Sequence, residues 1–273
     1  MRIQFFRSTW GMDLPTLEEN LTRIKQGGFD GVELGVPDDT ASCQRARGLL
    51  DQLGLAVIAQ QWTRGETSQE HLVSFEKQFE RSALLKPLQV NSHTGKDYFS
   101  LAENLAVFDH ASKLSAAAGI PVVHETHRAR ALFSAPATVA ILDARPELRL
   151  TADFSHWCCV HETLLEDQQS AVEKAMDRSY HIHARVGHSQ GPQITDPRDS
   201  AWEPALSAHL TWWKNILHRR RQEGCEVLSI CPEFGPPPYM VVQPYSQKPI
   251  ADLWEINCHM MKCLKSAFTT ERA

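Results

Sequence analysis

Long apolar runs are missing from this 273-residue sequence. No stretch approaches the roughly 18 apolar residues of a membrane-spanning helix, and residues 1–13 lack the apolar run and the small-residue cleavage pattern of a secretory signal peptide. Seven cysteines are present, but none forms a C-x-x-C pair and two are adjacent, which argues against a zinc-thiolate cluster or a disulfide framework. We therefore expect a soluble, cytoplasmic protein without a membrane partner.

An excess of basic charge is also missing, since 33 acidic residues outnumber 28 basic ones and give a formal net charge of −5. Nucleic acids and anionic membranes favour basic surfaces, so we expect no nucleic-acid partner. The G-x-G-x-x-G fingerprint of dinucleotide-binding sheets, the P-loop and the H-E-x-x-H zinc motif are all absent. The hydrophobic fraction of 42% is nevertheless enough for a sizeable core.

Short apolar runs alternate with longer amphipathic stretches along the chain. The runs predict strands at 3–6, 31–36, 55–60, 84–91, 120–125, 148–153, 180–185 and 226–233. Helices are predicted at 14–28, 68–83, 100–118, 161–177 and 204–222, with a last one near 250–266. This alternation predicts parallel strands, and eight units in this length favour an α/β fold, a single (β/α)₈ TIM barrel over 1–273. An open doubly wound sheet is the alternative.

One connection is unusually long. Residues 186–204 (VGHSQGPQITDPRDSAWEP) separate the seventh strand from the next helix and are rich in Gly, Pro, Asp and Ser. Loops of this length in compact domains are usually functional or disordered. We expect a lid or wall of a functional site.

Acidic and imidazole side chains recur at the ends of the predicted strands, where active sites form in such barrels. They are Glu33, His93, His124, Glu125, His127, Asp153, His156, His181, His183 and Glu233. One histidine at a strand end is usually a packed residue, and Glu33 alone could be an ion-pair partner inside the barrel. Converging carboxylates, however, need a cation or shared protons. Mn²⁺, Mg²⁺ or Co²⁺ suits three carboxylates and one imidazole, with Zn²⁺ as an alternative.

The strand-end motifs together resemble the xylose isomerase-like TIM-barrel superfamily, which includes sugar (phosphate) isomerases and epimerases and the apurinic endonucleases. The resemblance covers residues 1–265 and rests on GVELG (31–35), HETH (124–127), DFSH (153–156), HIHA (181–184) and PEFGP (232–236). It implies one divalent metal ion, whose ligands would be Glu125, Asp153, His183 and Glu233.

The resemblance also implies an activity, a metal-dependent isomerase or epimerase of a small sugar or keto-sugar acting through a cis-enediolate. Glu125 and Glu233 would be the catalytic acid/base pair. The residues expected to contact the carbohydrate substrate are Trp62, His93, His156, Arg185 and His188. The identity of the sugar and the formation of a homo-oligomer stay open.

Two alternatives belong to other functional classes, a phosphodiester hydrolase of the apurinic endonuclease type and a barrel that binds metal without catalysis. The endonucleases hold three zinc ions and need further histidines. Here Gln60 and Gln61 occupy the third-strand position, and Arg198 replaces the histidine two residues after Asp196. A guanidinium cannot coordinate a cation. These departures favour one ion and the isomerase.

Overall fold

Eight parallel strands close into a barrel in the computed structural model, which describes residues 1–269. Each strand pairs with the next along the chain, and β8 (Val227–Cys231) closes the circle against β1 (Arg2–Ser8). The predicted (β/α)₈ barrel is therefore confirmed, and the open sheet is excluded. Residues 270–273 of the predicted domain lie outside the described residues.

The strands and helices alternate along the described chain. The other strands are β2 (Gly31–Gly35), β3 (Ala56–Trp62), β4 (Gln89–His93), β5 (Val122–Glu125), β6 (Leu150–Ala152) and β7 (Ser179–His183). The helices are α1 (Leu17–Gln26), α2 (Thr40–Leu53), α3 (Ser68–Leu84), α4 (Leu101–Ala118), α5 (Ala135–Ala144), α6 (Phe154–His161), α7 (Gln169–Asp177), α8 (Glu203–Gln222) and α9 (Leu253–Thr269). Within residues 1–269 no helix has the length and hydropathy needed to cross a membrane.

Local sequence signals set where several helices begin. Thr16, Thr67 and Ser100 cap α1, α3 and α4, and in each case a glutamate three residues later completes a capping box. Such a box satisfies backbone N–H groups that the first helical turn leaves unpaired. The starts of α3 and α4 therefore agree with the predicted starts to within one residue, whereas α1 begins three residues later than predicted.

The core has an apolar outer layer and a largely polar barrel interior. Between strands and helices lie large buried side chains such as Phe75, Phe108, Trp157 and Trp213. Inside the barrel, a separate small apolar cluster consists of Phe6, Ile58 and Cys231. Because residues two apart on a strand share one face, β7 directs both His181 and His183 into this interior, where both contact Glu33 of β2.

The region after β6 differs from the sequence prediction. The helix predicted at 161–177 is present only over its second half, as α7 (Gln169–Asp177), and a separate helix that was not predicted, α6, begins immediately after Asp153. Asp153 accepts a hydrogen bond from Ser155 N as the N-cap of α6, and Glu162 ends that helix in the left-handed conformation at φ 56°. The cap at Asp153 and the stop at Glu162 enclose only eight helical residues, which is too short a segment for hydrophobic periodicity to define.

The close pairing of β2 with its neighbours leaves no room for a side chain at Gly31. A Cβ there would lie 2.5 Å from both Ala56 O and Phe6 Cε1. We predict that Gly31→Ala lowers the free energy of unfolding by about 1–3 kcal/mol, the usual cost of overpacking. Gly48→Ala is the matched control, because its Cβ meets nothing within 4 Å and alanine stabilises a helix. The measurement is denaturant unfolding. A free energy of unfolding for Gly31→Ala equal to that of wild type would contradict this packing.

Candidate metal and substrate site

Four polar side chains converge at the carboxyl end of the barrel. They stand at or just after the ends of four consecutive strands, and they are Glu125, Asp153, His183 and Glu233. All four are buried, and each offers a ligand atom within 4.8 Å of the others. His183 Nδ1 lies 2.8 Å from Glu233 Oε2, 3.4 Å from Glu125 Oε2 and 3.9 Å from Asp153 Oδ2. The structure thus brings together the four ligands that the resemblance implied, and we call them the ligand set.

Two atoms of the ligand set are buried without a hydrogen-bond partner, His183 Nδ1 and Glu125 Oε1. A buried polar atom left unsatisfied costs about 1–3 kcal/mol. A cation bound between these two atoms and the carboxylates of Asp153 and Glu233 would coordinate their lone pairs. Three carboxylates and one imidazole are suitable donors for a divalent ion of the Mn²⁺, Mg²⁺ or Co²⁺ type. The residues present therefore fit a divalent ion.

A buried guanidinium lies beside the ligand set. Arg185 Nη2 donates to Asp153 Oδ2 and lies 3.8 Å from Glu233 Oε2, and Arg185 Nε donates to Ser155 Oγ at 3.1 Å. The ring of Tyr239 packs 4.8 Å from the guanidinium. The three ionised carboxylates carry −3 and Arg185 carries +1, which leaves −2. A divalent ion balances that charge.

The electrostatic environment shifts the protonation of the ligand set. Burial and the charges of Glu125 and Glu233 raise the pKa of Asp153 to about 6, although Arg185 acts to lower it. Burial also lowers the pKa of His183, but the surrounding carboxylates, with Glu233 foremost, outweigh burial and raise that pKa well above its usual value. In the absence of a cation the cluster therefore binds protons. Metal ligands must be deprotonated, so metal binding displaces these protons.

A cavity of about 320 Å³ opens above the ligand set. Glu125, Glu233 and Arg185 form part of its surface. Aromatic side chains line it as well, and they are Trp10, Trp62 and Tyr239. Small-molecule sites combine apolar walls with a few convergent polar groups in just this way. The cavity has the size and lining of a site for one small polar molecule.

The residues predicted to contact substrate occupy different places. Trp62, His93 and Arg185 line the cavity. His156 is fully buried, with its Nε2 atom 2.6 Å from Arg185 Nη2. His188 is half-buried in the loop after β7 and is not one of the lining residues. Three of the five residues therefore reach the cavity directly.

Sequence reasoning missed several residues of the cavity wall. Thr9, Trp10, Gln60, His127 and Tyr239 line it without having been predicted as site residues. Trp10 follows the end of β1 by two residues, so the strand-end rule could have included it, whereas His127 was among the strand-end histidines but had no predicted role. Tyr239 comes from a proline-rich segment six residues after Glu233, and no local pattern marks it.

The turn that carries Glu233 is held from two sides. Asn257 of α9 accepts a hydrogen bond from Phe234 N at 3.1 Å and donates one to Phe234 O at 3.0 Å. Gln193, in the loop after β7, accepts from Gly235 N at 2.7 Å and donates to Gly235 O at 3.2 Å. The long loop therefore supports the wall of the site next to Glu233.

That loop also contains a motif that sequence reasoning overlooked. Residues 187–191 read G-H-S-Q-G and match the G-x-S-x-G pattern of hydrolase nucleophile elbows. A nucleophile elbow is a turn from a strand into a helix. Here His188 and Gly191 pair through two backbone hydrogen bonds of 2.8 and 3.1 Å, which makes Ser189 part of a hairpin turn. The match therefore lacks the architecture that the motif requires.

Comparison with known proteins defines the fold and not the activity. No protein-family model and no curated protein sequence matches the chain. Solved structures match along nearly the whole length. The probable 3-DHS dehydratase AsbF involved in petrobactin synthesis from Bacillus anthracis has 15% identity, covers 96% of this chain and 98% of its own, and gives a TM-score of 0.62.

Two other matches have different activities. The 3-keto-D-glucoside 4-epimerase YcjR from E. coli has 13% identity, with 97% and 100% coverage of the two chains and a TM-score of 0.63. Endonuclease IV from Thermus thermophilus has 14% identity, with 100% coverage of both and a TM-score of 0.60. The chain thus has the fold of the xylose isomerase-like TIM barrels, as its strand-end motifs predicted.

The ligand set makes a prediction about metal binding. We expect Asp153→Asn and His183→Ala to abolish Mn²⁺ binding in isothermal titration, because each removes a donor from the centre of the set. His93→Ala is the comparison, since His93 Nε2 contacts Glu125 Oε2 at 2.8 Å but the residue stands outside the set. We expect His93→Ala to retain Mn²⁺ with a Kd within about tenfold of wild type. Wild-type affinity in Asp153→Asn would contradict this assignment.

Proposed function

We propose that the protein is a metal-dependent isomerase or epimerase of a small sugar or keto-sugar, and that it uses one divalent ion. The observation that carries the proposal is the placement of two glutamates. Glu125 and Glu233 both belong to the ligand set and both line the cavity. Each can therefore contribute to metal binding and still reach a molecule in the cavity.

The two oxygens of each glutamate have different surroundings. Glu125 Oε2 lies within 3.4 Å of His93 and His183, whereas Glu125 Oε1 has no hydrogen-bond partner. Glu233 Oε2 faces His183, whereas Glu233 Oε1 accepts only a long hydrogen bond of 3.4 Å from Gln60 Nε2. Each carboxylate can thus bind the ion through one of its oxygens and exchange a proton through the other.

This arrangement supports enolisation of a carbonyl compound. Glu125, Asp153, His183 and Glu233 would hold the ion, which when bound supplies Lewis-acid polarisation of a carbonyl oxygen. One glutamate removes the proton from the carbon next to the carbonyl, which gives an enediolate. The other glutamate returns a proton to carbon. General acid/base groups of this kind contribute about 10²–10⁴-fold each to the rate.

The cavity wall favours a polyhydroxylated substrate. Trp10 and Trp62 offer flat faces to the C–H groups of a sugar ring, and His93 and Arg185 offer polar atoms to its oxygens. The cavity volume of about 320 Å³ is near the lower end of the usual range for ligand sites. A monosaccharide matches that volume better than a nucleic-acid strand does.

The hydrolase alternative is less well supported by the loop after β7. Arg198 pairs with Asp196 through hydrogen bonds of 2.6–3.1 Å and also lies 3.6 Å from Glu255. An aspartate engaged in this way by a guanidinium is a poor metal ligand. The epimerase found among the solved structures of the same fold is consistent with the isomerase proposal, whereas the endonuclease there keeps the hydrolase as its rival.

A proton-exchange assay tests the proposed function. Wild-type protein is incubated with Mn²⁺ and a panel of ketoses in D₂O, and deuterium at carbon is followed by NMR. We expect incorporation with at least one ketose, and a loss of about 10²-fold or more in Glu125→Gln and Glu233→Gln. Metal content is measured on the same samples, because both residues are also candidate ligands.

Glu255→Gln serves as the control, since Glu255 is exposed and pairs only with Arg198 among the ion pairs of the described chain. Its exchange rate should equal that of wild type. Cleavage of an abasic oligonucleotide without any exchange would instead establish the hydrolase. Mn²⁺ binding with neither activity would favour a barrel that holds metal without catalysis.

A further inference from the structure

Glu33 lies directly beneath the ligand set and contacts one of its members from inside the barrel. It stands on β2, across the barrel from β7, and is fully buried. His183 Nε2 lies 3.0 Å from Glu33 Oε1 and 3.0 Å from Glu33 Oε2. The other ring nitrogen of His183, Nδ1, faces Glu233 and Glu125. One imidazole therefore joins the ligand set to a carboxylate behind it.

Glu33 is itself fixed by other interior residues. Asn91 Nδ2 donates to Glu33 Oε1 at 2.8 Å, and Asn91 Oδ1 in turn accepts from Thr151 Oγ1 at 2.8 Å. His181 Nε2 contacts Glu33 Oε2 at 3.2 Å, and the Nδ1 atom of His181 contacts Ser229 Oγ at 2.8 Å. Asn91 of β4 and His181 of β7 thus hold the Glu33 carboxylate in addition to His183, and Asn91 Nδ2 also donates to Glu125 Oε2 of the ligand set at 3.0 Å.

The chemistry of these atoms fixes the role of each nitrogen of His183. An ionised carboxylate only accepts hydrogen bonds, so a neighbouring imidazole nitrogen has to donate. Both nitrogens of His183 lie near carboxylates, but only Nε2 has hydrogen-bond geometry, toward Glu33, whereas Nδ1 has no hydrogen-bond partner. When a metal ion is bound, Nε2 therefore keeps the proton and Nδ1 offers its lone pair to the ion. A histidine ligand that donates its other N–H to a carboxylate is held in one tautomer and one orientation, and becomes a more basic ligand.

We propose that Glu33 is a positioning residue for the metal site, which commits His183 Nδ1 to the ligand set by accepting the hydrogen bond from His183 Nε2. The inference rests on the proposed function only in so far as that function requires a metal ion. The competing interpretation is that Glu33, His181 and His183 form a purely structural ion-pair cluster inside the barrel. These two interpretations differ in what they predict for metal affinity.

The same three residues could be regarded as a second metal site, because their ligand atoms also lie within 4.8 Å of one another. The contacts argue against this assignment. Both Glu33 oxygens already accept hydrogen bonds, and the Nε2 atoms of both histidines point at them. The orphaned buried atom of this region is His183 Nδ1, on the opposite side of the ring.

A titration with Mn²⁺ tests the positioning role. Glu33→Gln keeps the size of the side chain but removes its charge and weakens the acceptor. We expect the Kd for Mn²⁺ to rise by about 10–100-fold, as for other residues that orient a metal ligand. Ser229→Ala is the matched control, since it removes a partner of His181 in the same interior without touching His183. Its Kd should stay within about threefold of wild type.

The outcomes are distinct. A rise of about fivefold or more in Glu33→Gln, with Ser229→Ala unchanged, supports the proposal. A smaller rise, or an equal rise in both variants, overturns it and leaves the structural interpretation. Circular dichroism checks that each variant is folded.

A measurement on the wild-type protein covers the case in which Glu33→Gln does not fold. In ¹⁵N-histidine NMR, the His183 signals are assigned by their loss in His183→Ala. We expect a proton on Nε2 both without metal and with Zn²⁺, and a metal-induced shift at Nδ1. A proton on Nδ1 with Zn²⁺ on Nε2 would overturn the proposal. If wild type binds no metal, the proposed function fails, while a metal-free His183 without a proton on Nε2 would still overturn the contact with Glu33.

Discussion

Three buried carboxylates converge at the carboxyl end of the barrel. The residues around them reduce the electrostatic repulsion that this convergence creates. Burial and neighbouring like charges both raise the pKa of a carboxyl group, and together they raise the pKa of Asp153. Arg185 neutralises part of the charge from one side, and His183 inserts its Nδ1 atom between the carboxylates. The residual charge of −2 and the unpartnered donor atoms are the physical reason for assigning a divalent ion to this position.

The seventh strand organises the site in layers because its inward-facing residues are two apart. His181 contacts the interior network of Glu33 and Ser229, His183 joins that network to the ligand set, and Arg185 reaches the cavity. The inward-facing positions 181, 183 and 185 therefore lead from the interior network through the ligand set to the cavity, with Arg185 two residues beyond the end of β7. The buried network of Glu33, His181 and Ser229 thereby supports the ligand set and limits its movement.

The barrel was predictable from the sequence because it depends on short-range periodicity, whereas periodicity gave only a list of strand-end candidates, from which the family resemblance selected the ligand set. Alternating strands and helices define a (β/α)₈ barrel, and a carboxylate or imidazole at a strand end is carried to a common rim. The cavity wall was not predictable in the same way. Tyr239 reaches it through a proline-rich turn, and His188 turns away into a hairpin. The positions of such residues depend on loop conformations and long-range hydrogen bonds, such as those of Asn257 and Gln193, which leave no periodic signal.

The most direct test of this account is the position of the metal in crystals grown with Mn²⁺, measured by anomalous diffraction. The account predicts one strong peak per chain, at about 2.0–2.3 Å from His183 Nδ1 and from an oxygen of each of Glu125, Asp153 and Glu233. It also predicts that His183 Nε2 keeps its contact with Glu33. A peak bound through His183 Nε2, several peaks of similar height in the cavity, or no peak at the ligand set under saturating Mn²⁺ would contradict the central claim.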